Sequence, residues 1–260
     1  SEITIAALLK KSGYATAQVG KWHLNGMFNL PGQPQPNDHG FEHWFAVQNN
    51  ALPNHRNPYN FVRNGIPQGP IAGYSASIVA NEAVNWLAAI RDKSKPFFLY
   101  VAFNEPHEPI ATDPRFRAPY EKNHPDDPSR VAYYGNVSQM DDAFGRILRT
   151  LESQGLAGNT LIWFTSDNGP ARTRWHNAGS PGGLREFKGH MYEGGLRVPG
   201  IIRWPGHIRP GSISAQPVSG VDVLPTLCEI TGVVAPSDRT FDGASIVPIL
   251  AGGAIARTRP

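Results

Sequence analysis

Several features that mark other protein classes are scarce in this sequence. Cys228 is the only cysteine among the 260 residues, which excludes an internal disulfide and a cysteine-rich zinc site. No apolar run approaches the roughly 18 residues of a membrane-spanning helix. Charged residues make up only 17% of the chain and form no long block of one sign, so the clustered basic footprint of a nucleic-acid-binding protein is missing.

The residues that are abundant indicate a folded domain with many ordered loops. The chain contains 27 glycines and 24 prolines, which favour turns, and 10% aromatic residues, which exclude a disordered composition. The sequence has no internal repeat. Its net charge of +3 is mild and scattered, which leaves room for a local cationic site that binds an anionic substrate.

Strand patterns alternate with helix patterns along the chain. Apolar residues at helical spacing predict helices at 1–11, 75–90, 129–154 and 221–230. Short apolar runs bounded by turn residues predict strands at 14–20, 97–103, 160–165 and 198–204, and residues 25–74 are predicted to be a long loop region. Because the strands are apolar throughout, we expect an α/β fold with a largely parallel sheet flanked by helices.

Three of these strands run directly into polar clusters. Lys21 and His23 follow the first strand, His107 follows the second, and Asp167 with Asn168 follows the third. Ligands of open α/β sheets bind beyond the carboxyl ends of the strands. We therefore expect these side chains to form a functional site at one edge of the sheet.

Asp167 and Asn168 supply a carboxylate and an amide oxygen from adjacent residues. Both are hard ligands that suit Ca²⁺ or Mg²⁺. The same Asp-Asn-Gly sequence is also ordinary turn chemistry, and on this motif alone a turn is the favoured interpretation. A metal site would need further oxygen ligands from elsewhere.

Lys21, His23, His107 and Lys188 form a candidate cationic set for an anionic ester. Lysine acts as a point charge, and histidine can act as an acid near neutral pH. Each residue taken singly is more simply a solvated lysine or a structural histidine. Their expected convergence at one sheet edge favours the functional interpretation.

One motif is rejected as a chance match. The segment His39-Gly40-Phe41-Glu42-His43 fits the H-x-x-E-H pattern of a zinc peptidase, which needs both histidines on one helical face. Gly40 and the prolines before it argue against a helix here.

The order of motifs resembles that of the type I, formylglycine-dependent sulfatases of the alkaline phosphatase superfamily. Any one motif is weakly specific, but several in the family's order cover nearly the whole chain. The matching segments are residues 6–16 with Gly20-Lys21-Trp22-His23-Leu24, then Pro106-His107-Glu108-Pro109, Asp167-Asn168-Gly169, residues 188–199, residues 221–227 and Phe241-Asp242-Gly243.

This resemblance implies an alkaline-phosphatase-like fold and hydrolysis of sulfate esters of sugars or aryl alcohols. It implies Ca²⁺ as cofactor, with Asp167 and Asn168 as metal ligands, and a formylglycine nucleophile. Lys21, His107 and Lys188 would bind the sulfate oxygens, with His107 or Lys188 assisting the leaving group. His23 would support the formylglycine side of the site.

The sequence departs from the family pattern in one important respect. The C-x-P-S-R motif, or its serine version, and an early strand ending in paired aspartates are absent, and Cys228 lies in a different context. We therefore expect residues 1–260 to be a partial catalytic domain, truncated at both ends and weakly active or inactive alone. Family habit implies an exported, periplasmic or extracellular protein, although the chain has no signal peptide pattern.

Two other functions stay open. The chain could be a non-catalytic module that binds sulfate or a glycan, since it lacks the nucleophile motif. It could also hydrolyse phosphate or phosphonate esters, as related folds do. Trp, His and Arg residues in the loops at 37–64 and 172–185 could line a sugar pocket or could simply pack those loops.

Overall fold

The structure, a computed structural model, describes residues 2–173 and 177–256 of the chain. Strands in this part form a five-stranded sheet in the order β4-β3-β2-β1-β5 and a two-stranded sheet of β6 and β7. The strands are β1 (Ala15–Lys21), β2 (His43–Val47), β3 (Val62–Arg63), β4 (Ile66–Pro67), β5 (Phe97–Ala102), β6 (Ile162–Thr165) and β7 (Gly200–Arg203).

Helices cover both faces of the larger sheet. The α-helices of the described residues are α1 (Ile5–Lys11), α2 (Ser75–Asn85), α3 (Pro114–Glu121), α4 (Pro128–Ser153), α5 (Glu193–Leu196), α6 (Val223–Thr231) and α7 (Val247–Leu250). The end of α2 continues as a π-helical turn over Trp86–Ile90. Short 3-10 turns occupy Pro36–His39, Ala157–Asn159 and Gly220–Asp222.

Strand β1 lies at the centre of the fold and is buried along its length up to Lys21. It pairs in parallel with β2 on one side, where Val19 faces Phe45, and with β5 on the other, where Val19 faces Val101. Only β3 and β4 add antiparallel pairs to this sheet. Because β1 and β5 are parallel neighbours, Lys21 and the segment after Ala102 meet at the same sheet edge.

The two faces of the larger sheet pack against different apolar clusters. Val19 belongs to the larger cluster, in which Phe45 of β2 meets Val79 of α2 and Ile147 of α4. The smaller cluster on the opposite face contains Ala6, Trp22, Phe41, Trp44, Ala46 and Val62. Alternation along the strands thus buries both faces, as expected for a parallel sheet covered by helices.

The predicted fold class is confirmed, because parallel pairs form the centre of a mixed sheet with helices around it. The predicted helices and strands are found with ends shifted by a few residues. The N-terminal helix begins at Ile5, where the Thr4 hydroxyl accepts a 3.1 Å hydrogen bond from the Ala7 N–H. Ser1, the first residue of the predicted helix, lies outside the described residues.

The region 25–74, predicted as a loop, contains three strands. In β2 all five residues are buried, and β3 and β4 form a short hairpin beside it. Helix α3 was not predicted from the sequence. It is capped by Asp113, whose side chain accepts a hydrogen bond from the Arg115 N–H. Strand β7 pairs antiparallel with β6 in a separate sheet and does not join the parallel one.

Candidate functional site

Lys21 lies within electrostatic reach of residues from two distant parts of the chain. Burial is the main cause that lowers the pKa of Lys21; the carboxylate of Asp167 raises it and the charge of Lys188 lowers it. Lys21 ends β1, and Asp167 follows β6. The fold therefore brings the polar ends of β1 and β6 together, although β6 belongs to the second sheet and not, as predicted, to the same sheet edge.

The charged residues near Lys21 also act on His23. Burial and the positive charges of three neighbours lower its pKa, while Asp167 raises it. The three cationic neighbours are Lys21, His107 and Lys188. The backbone of His23 is left-handed with φ 53°, and its N–H donates a 2.7 Å hydrogen bond to the Gln48 carbonyl after β2.

The turn after β5 fixes the ring of His107. The peptide bonds before Pro106 and Pro109 are both cis, and the His107 N–H donates 2.9 Å to the Asn104 carbonyl. The ring Nδ1 lies 2.7 Å from the carbonyl oxygen of Glu108. Because a carbonyl can only accept, Nδ1 is the donor, and Nε2 is left as the nitrogen available to a substrate.

A glycine-rich loop is hydrogen-bonded to the segment that follows Asp167 and Asn168. The Gly169 N–H donates 2.9 Å to the Gly195 carbonyl, and the Lys188 N–H donates 3.0 Å to the carbonyl of Pro170. Lys188 is thereby tied to the segment that carries Asp167. Asp167 and Lys188 are both exposed, so their charged groups are accessible to a ligand.

Asp167 and Asn168 have the donor chemistry of a hard-cation site. The Asn168 side-chain N–H₂ donates 3.0 Å to the Gly169 carbonyl, so its amide oxygen is the atom of this side chain that can serve as a metal ligand. These two oxygens fit Ca²⁺, which takes six to eight oxygen ligands in proteins, but supply only part of such a set. No group of three or more His, Cys, Asp or Glu residues suited to a metal occurs within residues 2–173 and 177–256.

The remaining candidates are structural. Cys228 is buried in α6, and burial raises its pKa, which disfavours the nucleophilic thiolate. His39 ends a 3-10 turn while His43 lies in β2, so the rejected zinc-peptidase motif spans no helix.

The two loops suggested as a sugar pocket differ in the burial of their side chains. Trp44 and His55 of the first loop are buried in the protein interior. In the second loop the exposed Arg172 stacks on the ring of Phe187 at 3.6 Å, and residues 174–176 lie outside the described residues.

Sequence reasoning missed a buried polar cluster beneath His107. It consists of His55, Glu105 and Asn136, which come from three separate segments. Glu105 lies two residues after the predicted strand end, which was a weak signal, but nothing local marks His55 and Asn136. Along the described residues, no helix is both long and apolar enough to cross a membrane.

Comparison with known proteins finds relatives along nearly the whole chain. The family profile described as Sulfatase matches residues 1–233. An arylsulfatase of Hemicentrotus pulcherrimus is 33% identical over 270 residues, which cover 97% of this chain and 47% of that protein. An N-acetylgalactosamine-6-sulfatase of Rattus norvegicus is 34% identical over 276 residues, covering 98% of this chain and 49% of that protein.

The fold also matches solved structures. The crystal structure of Ps i-CgsB in complex with k-i-k-neocarrahexaose aligns with a TM-score of 0.82 and 29% identity. This alignment covers 94% of the present chain and 56% of that chain. The chain spans about half the length of the curated relatives it matches.

Proposed function

The chain belongs to the sulfatase family, and from that membership we propose that it forms part of the catalytic domain of a sulfuric ester hydrolase. The observation that carries the proposal is the convergence of three cationic residues and the carboxylate of Asp167 around His23, near the ends of strands of one α/β fold. The cationic residues are Lys21, His107 and Lys188. A sulfate monoester is an anion, and such a set of charges suits its recognition.

Lys21 and Lys188 would bind the sulfate oxygens as point charges. When the bond between sulfur and the ester oxygen breaks, negative charge develops on the leaving oxygen, which must take up a proton to depart as an alcohol. A protonated His107 ring is suited to deliver that proton from Nε2 and to become neutral, because its Nδ1–H stays committed to the Glu108 carbonyl. Lys188 would assist by its charge, and His23 would support the side of the nucleophile.

Family membership implies a metal cofactor, and the finer assignment to Ca²⁺ is part of this proposal. Asp167 and Asn168 would hold the ion through their side-chain oxygens. When bound, Ca²⁺ supplies positive charge that polarises the sulfate group. The formylglycine nucleophile and the other metal ligands would come from parts of the protein outside these 260 residues, since the chain contains no C-x-P-S-R motif.

The substrate is proposed to be a sulfated glycan or an aryl sulfate. The relatives are named for aryl sulfate and N-acetylgalactosamine-6-sulfate hydrolysis, and one structural neighbour was solved with a neocarrahexaose. We expect the protein to be exported to the periplasm or the cell exterior, because sulfatases commonly are.

The test is hydrolysis of 4-nitrophenyl sulfate and 4-nitrophenyl phosphate by the complete protein that contains this chain, with Ca²⁺ present. We expect sulfate hydrolysis, and a loss of about 10²-fold or more in kcat/KM in Lys188→Ala and His107→Ala. Lys93→Ala, which removes an exposed lysine before β5, is the matched control.

Faster turnover of the phosphate ester would favour the related phosphatase activity. Binding of sulfate without turnover of either ester would favour a non-catalytic module. The 260-residue chain alone should hydrolyse neither ester at an appreciable rate, since it lacks the nucleophile motif.

A further inference from the structure

An open groove of about 360 Å³ lies between helices α3 and α4 and the loop after β6. Three tyrosines line it, Tyr120 of α3 and Tyr133 and Tyr134 of α4, together with Gly179, Ser180 and two small aliphatic residues. We call it the tyrosine groove. Its volume falls in the lower part of the roughly 300–1,000 Å³ range of small-molecule sites. None of the described residues that line it is charged, in contrast to the cationic candidate site for sulfate.

The tyrosine rings are held in place by their neighbours. The Tyr120 hydroxyl lies 2.7 Å from the Ser138 hydroxyl. The ring of Tyr134 makes edge-to-face contacts with Tyr120 and His124, with centroids 5.6 and 5.5 Å apart. The two helices approach so closely at Gly135 that a Cβ there would lie 2.7 Å from a carbonyl oxygen of α3. The aromatic surface is therefore preorganised, which lowers the entropic cost of binding a ligand.

The groove is continuous with the segment that carries Asp167. Gly179 fits between that segment and α4, because a Cβ on it would lie 2.7 Å from the Cβ of Pro170 and 2.9 Å from the hydroxyl oxygen of Tyr133. The carbonyl of Pro170 accepts the 3.0 Å hydrogen bond from the Lys188 N–H. Pro170 thus contacts the groove on one side and the backbone of a candidate sulfate-binding lysine on the other.

The segment after His107 reaches the same groove through α4. The Thr112 hydroxyl donates 2.7 Å to the carbonyl of Ala132, the residue directly before Tyr133. The tyrosine groove is therefore attached to both segments that supply the candidate site. A ligand whose sulfate is held by those segments can extend into the groove.

The lining of the groove suits a sugar ring. The C–H faces of a pyranose are apolar and pack on aromatic rings, whereas its hydroxyls need hydrogen-bonding partners. The tyrosine rings offer the first kind of contact, and the hydroxyls of Tyr133 and Ser180 offer the second. Burial raises the pKa of Tyr133, so its phenol stays neutral. A uronate ring would bring a carboxylate for which the described lining residues provide no opposite charge.

We propose that the tyrosine groove is a subsite for an uncharged sugar ring of a sulfated glycan, and that it selects glycans in which such a ring neighbours the sulfated one. The inference rests on the proposed function in one respect, namely that the sulfate of the same glycan binds at Lys21 and Lys188. The tyrosines act on specificity and take no part in breaking the ester bond.

Binding is measured first, in the 260-residue chain, by saturation-transfer difference NMR with two tetrasaccharides. The tetrasaccharide of κ-carrageenan alternates 4-sulfated galactose with an uncharged anhydrogalactose, and that of chondroitin 4-sulfate alternates 4-sulfated N-acetylgalactosamine with glucuronate. We expect saturation to reach the protons of the anhydrogalactose at least about 3-fold more strongly than those of the glucuronate.

Variants assign this saturation to the groove. Tyr134→Leu removes an aromatic ring from the lining and should reduce the transfer to anhydrogalactose about 3-fold or more, whereas Tyr134→Phe keeps the ring and should retain most of it. Tyr14→Leu is the matched control, because Tyr14 precedes β1 and lies at the opposite end of that strand from Lys21. Thermal unfolding by circular dichroism identifies any variant that has lost its fold.

Kinetics of the complete protein test whether the bound ring contributes to turnover. Tyr134→Leu should lower kcat/KM on the κ-carrageenan tetrasaccharide about 5-fold or more, measured as released sulfate. The same variant should leave kcat/KM on 4-nitrophenyl sulfate, which carries no sugar, within about 2-fold of the unaltered protein. Tyr134→Phe should resemble the unaltered protein on both substrates.

Four outcomes would overturn the subsite. They are absence of saturation in the unaltered chain, equal saturation of the glucuronate and the anhydrogalactose, an equal loss of kcat/KM on both substrates in Tyr134→Leu, and turnover of 4-nitrophenyl sulfate without turnover of the κ-carrageenan tetrasaccharide. The third would mean that the groove binds any leaving group, aryl groups included. If the complete protein hydrolyses no sulfate ester, the proposed function fails, while the saturation measurements still decide whether the groove binds an uncharged sugar.

Discussion

The backbone of Gly169 packs against the backbone of Gly194 so closely that a Cβ atom on Gly169 would lie 1.9 Å from the Gly194 carbonyl oxygen. The Gly169 N–H also donates 2.9 Å to the carbonyl of Gly195. Two segments that carry Asp167 and Lys188 are thereby held together by glycine backbone. Any side chain at Gly169 would have to separate them.

Substitution of this glycine should therefore damage the site and the fold together. We expect Gly169→Ala to destabilise the chain by about 1–3 kcal/mol, as overpacking does elsewhere, in thermal or urea unfolding. Gly200→Ala is the control, because a Cβ there meets no atom within 4 Å. Equal stability of the two variants would show that the loop adapts without cost.

A buried charge network far from the site predicts a pH dependence of stability. Burial alone would raise the pKa of Glu82, but hydrogen bonds from Arg63 and His43 outweigh it and lower the pKa to about 2. Arg63 contributes Nε–Oε1 and a second N–O contact at 2.8 and 2.6 Å, and His43 Nε2 lies 2.9 Å from Oε1. The side chain of Glu82 is only 6% exposed.

Because the folded pKa lies below the ordinary glutamate value of 4.5, the ionised Glu82 stabilises the fold above pH 4.5 and loses that contribution as pH falls toward 2. We expect Glu82→Gln to lower the free energy of unfolding by about 2 kcal/mol at pH 7, allowing for the partly exposed Arg63, and by less at pH 3. Urea unfolding at both values measures this. Glu152→Gln, at an exposed position of α4, should change stability little at either pH.

The sequence predicted the parts of the fold that follow from local pattern. Strand β1, strand β5 and the long helix α4 each have a clear period and clear stops. Strand β2 was missed although it is a short apolar run bounded by turn residues, because prolines and glycines dominate the region around it. Helix α3 was hidden by Pro114 at its start and Pro119 within it.

Which strands pair with each other could not be predicted from local sequence patterns. The apolar run at β7 gives no indication that it pairs antiparallel with β6 outside the main sheet. The ends of β1 and β5, which precede Lys21 and His107, could be placed at one edge because the two strands are parallel neighbours, while the roles of these residues stay predictions. His55 and Asn136 could not be found, since their meeting depends on tertiary structure that no local pattern records.

The single thiol should be inert in the folded protein. Cys228 is 5% exposed within α6, and burial raises its pKa, so little thiolate is available. We expect a disulfide reagent such as 5,5′-dithiobis(2-nitrobenzoate) to label the native chain at least about 10-fold more slowly than the urea-unfolded chain. Cys228→Ser provides the blank. Fast labelling of the native chain would contradict the buried position.

The electrostatic arrangement of the site predicts opposite shifts in the titration of His23. The positive charge of Lys188 lowers the pKa of His23, and the negative charge of Asp167 raises it. Lys188→Ala should therefore raise the pKa of His23, because protonation of the ring meets one less like charge. Asp167→Asn should lower it, because the protonated ring loses an opposite charge. Titration of the His23 ring signals by NMR in the 260-residue chain measures both changes.

Two controls make this titration decisive for the geometry. Lys93→Ala removes the same charge as Lys188→Ala from an exposed position before β5, and it should leave the His23 titration unchanged. Raising the ionic strength to about 1 M, where charges are screened over roughly 3 Å, should shrink both shifts. Shifts of the same sign in Lys188→Ala and Asp167→Asn would contradict the arrangement. A positive and a negative charge that both lie near the His23 ring must change its pKa in opposite directions when they are removed.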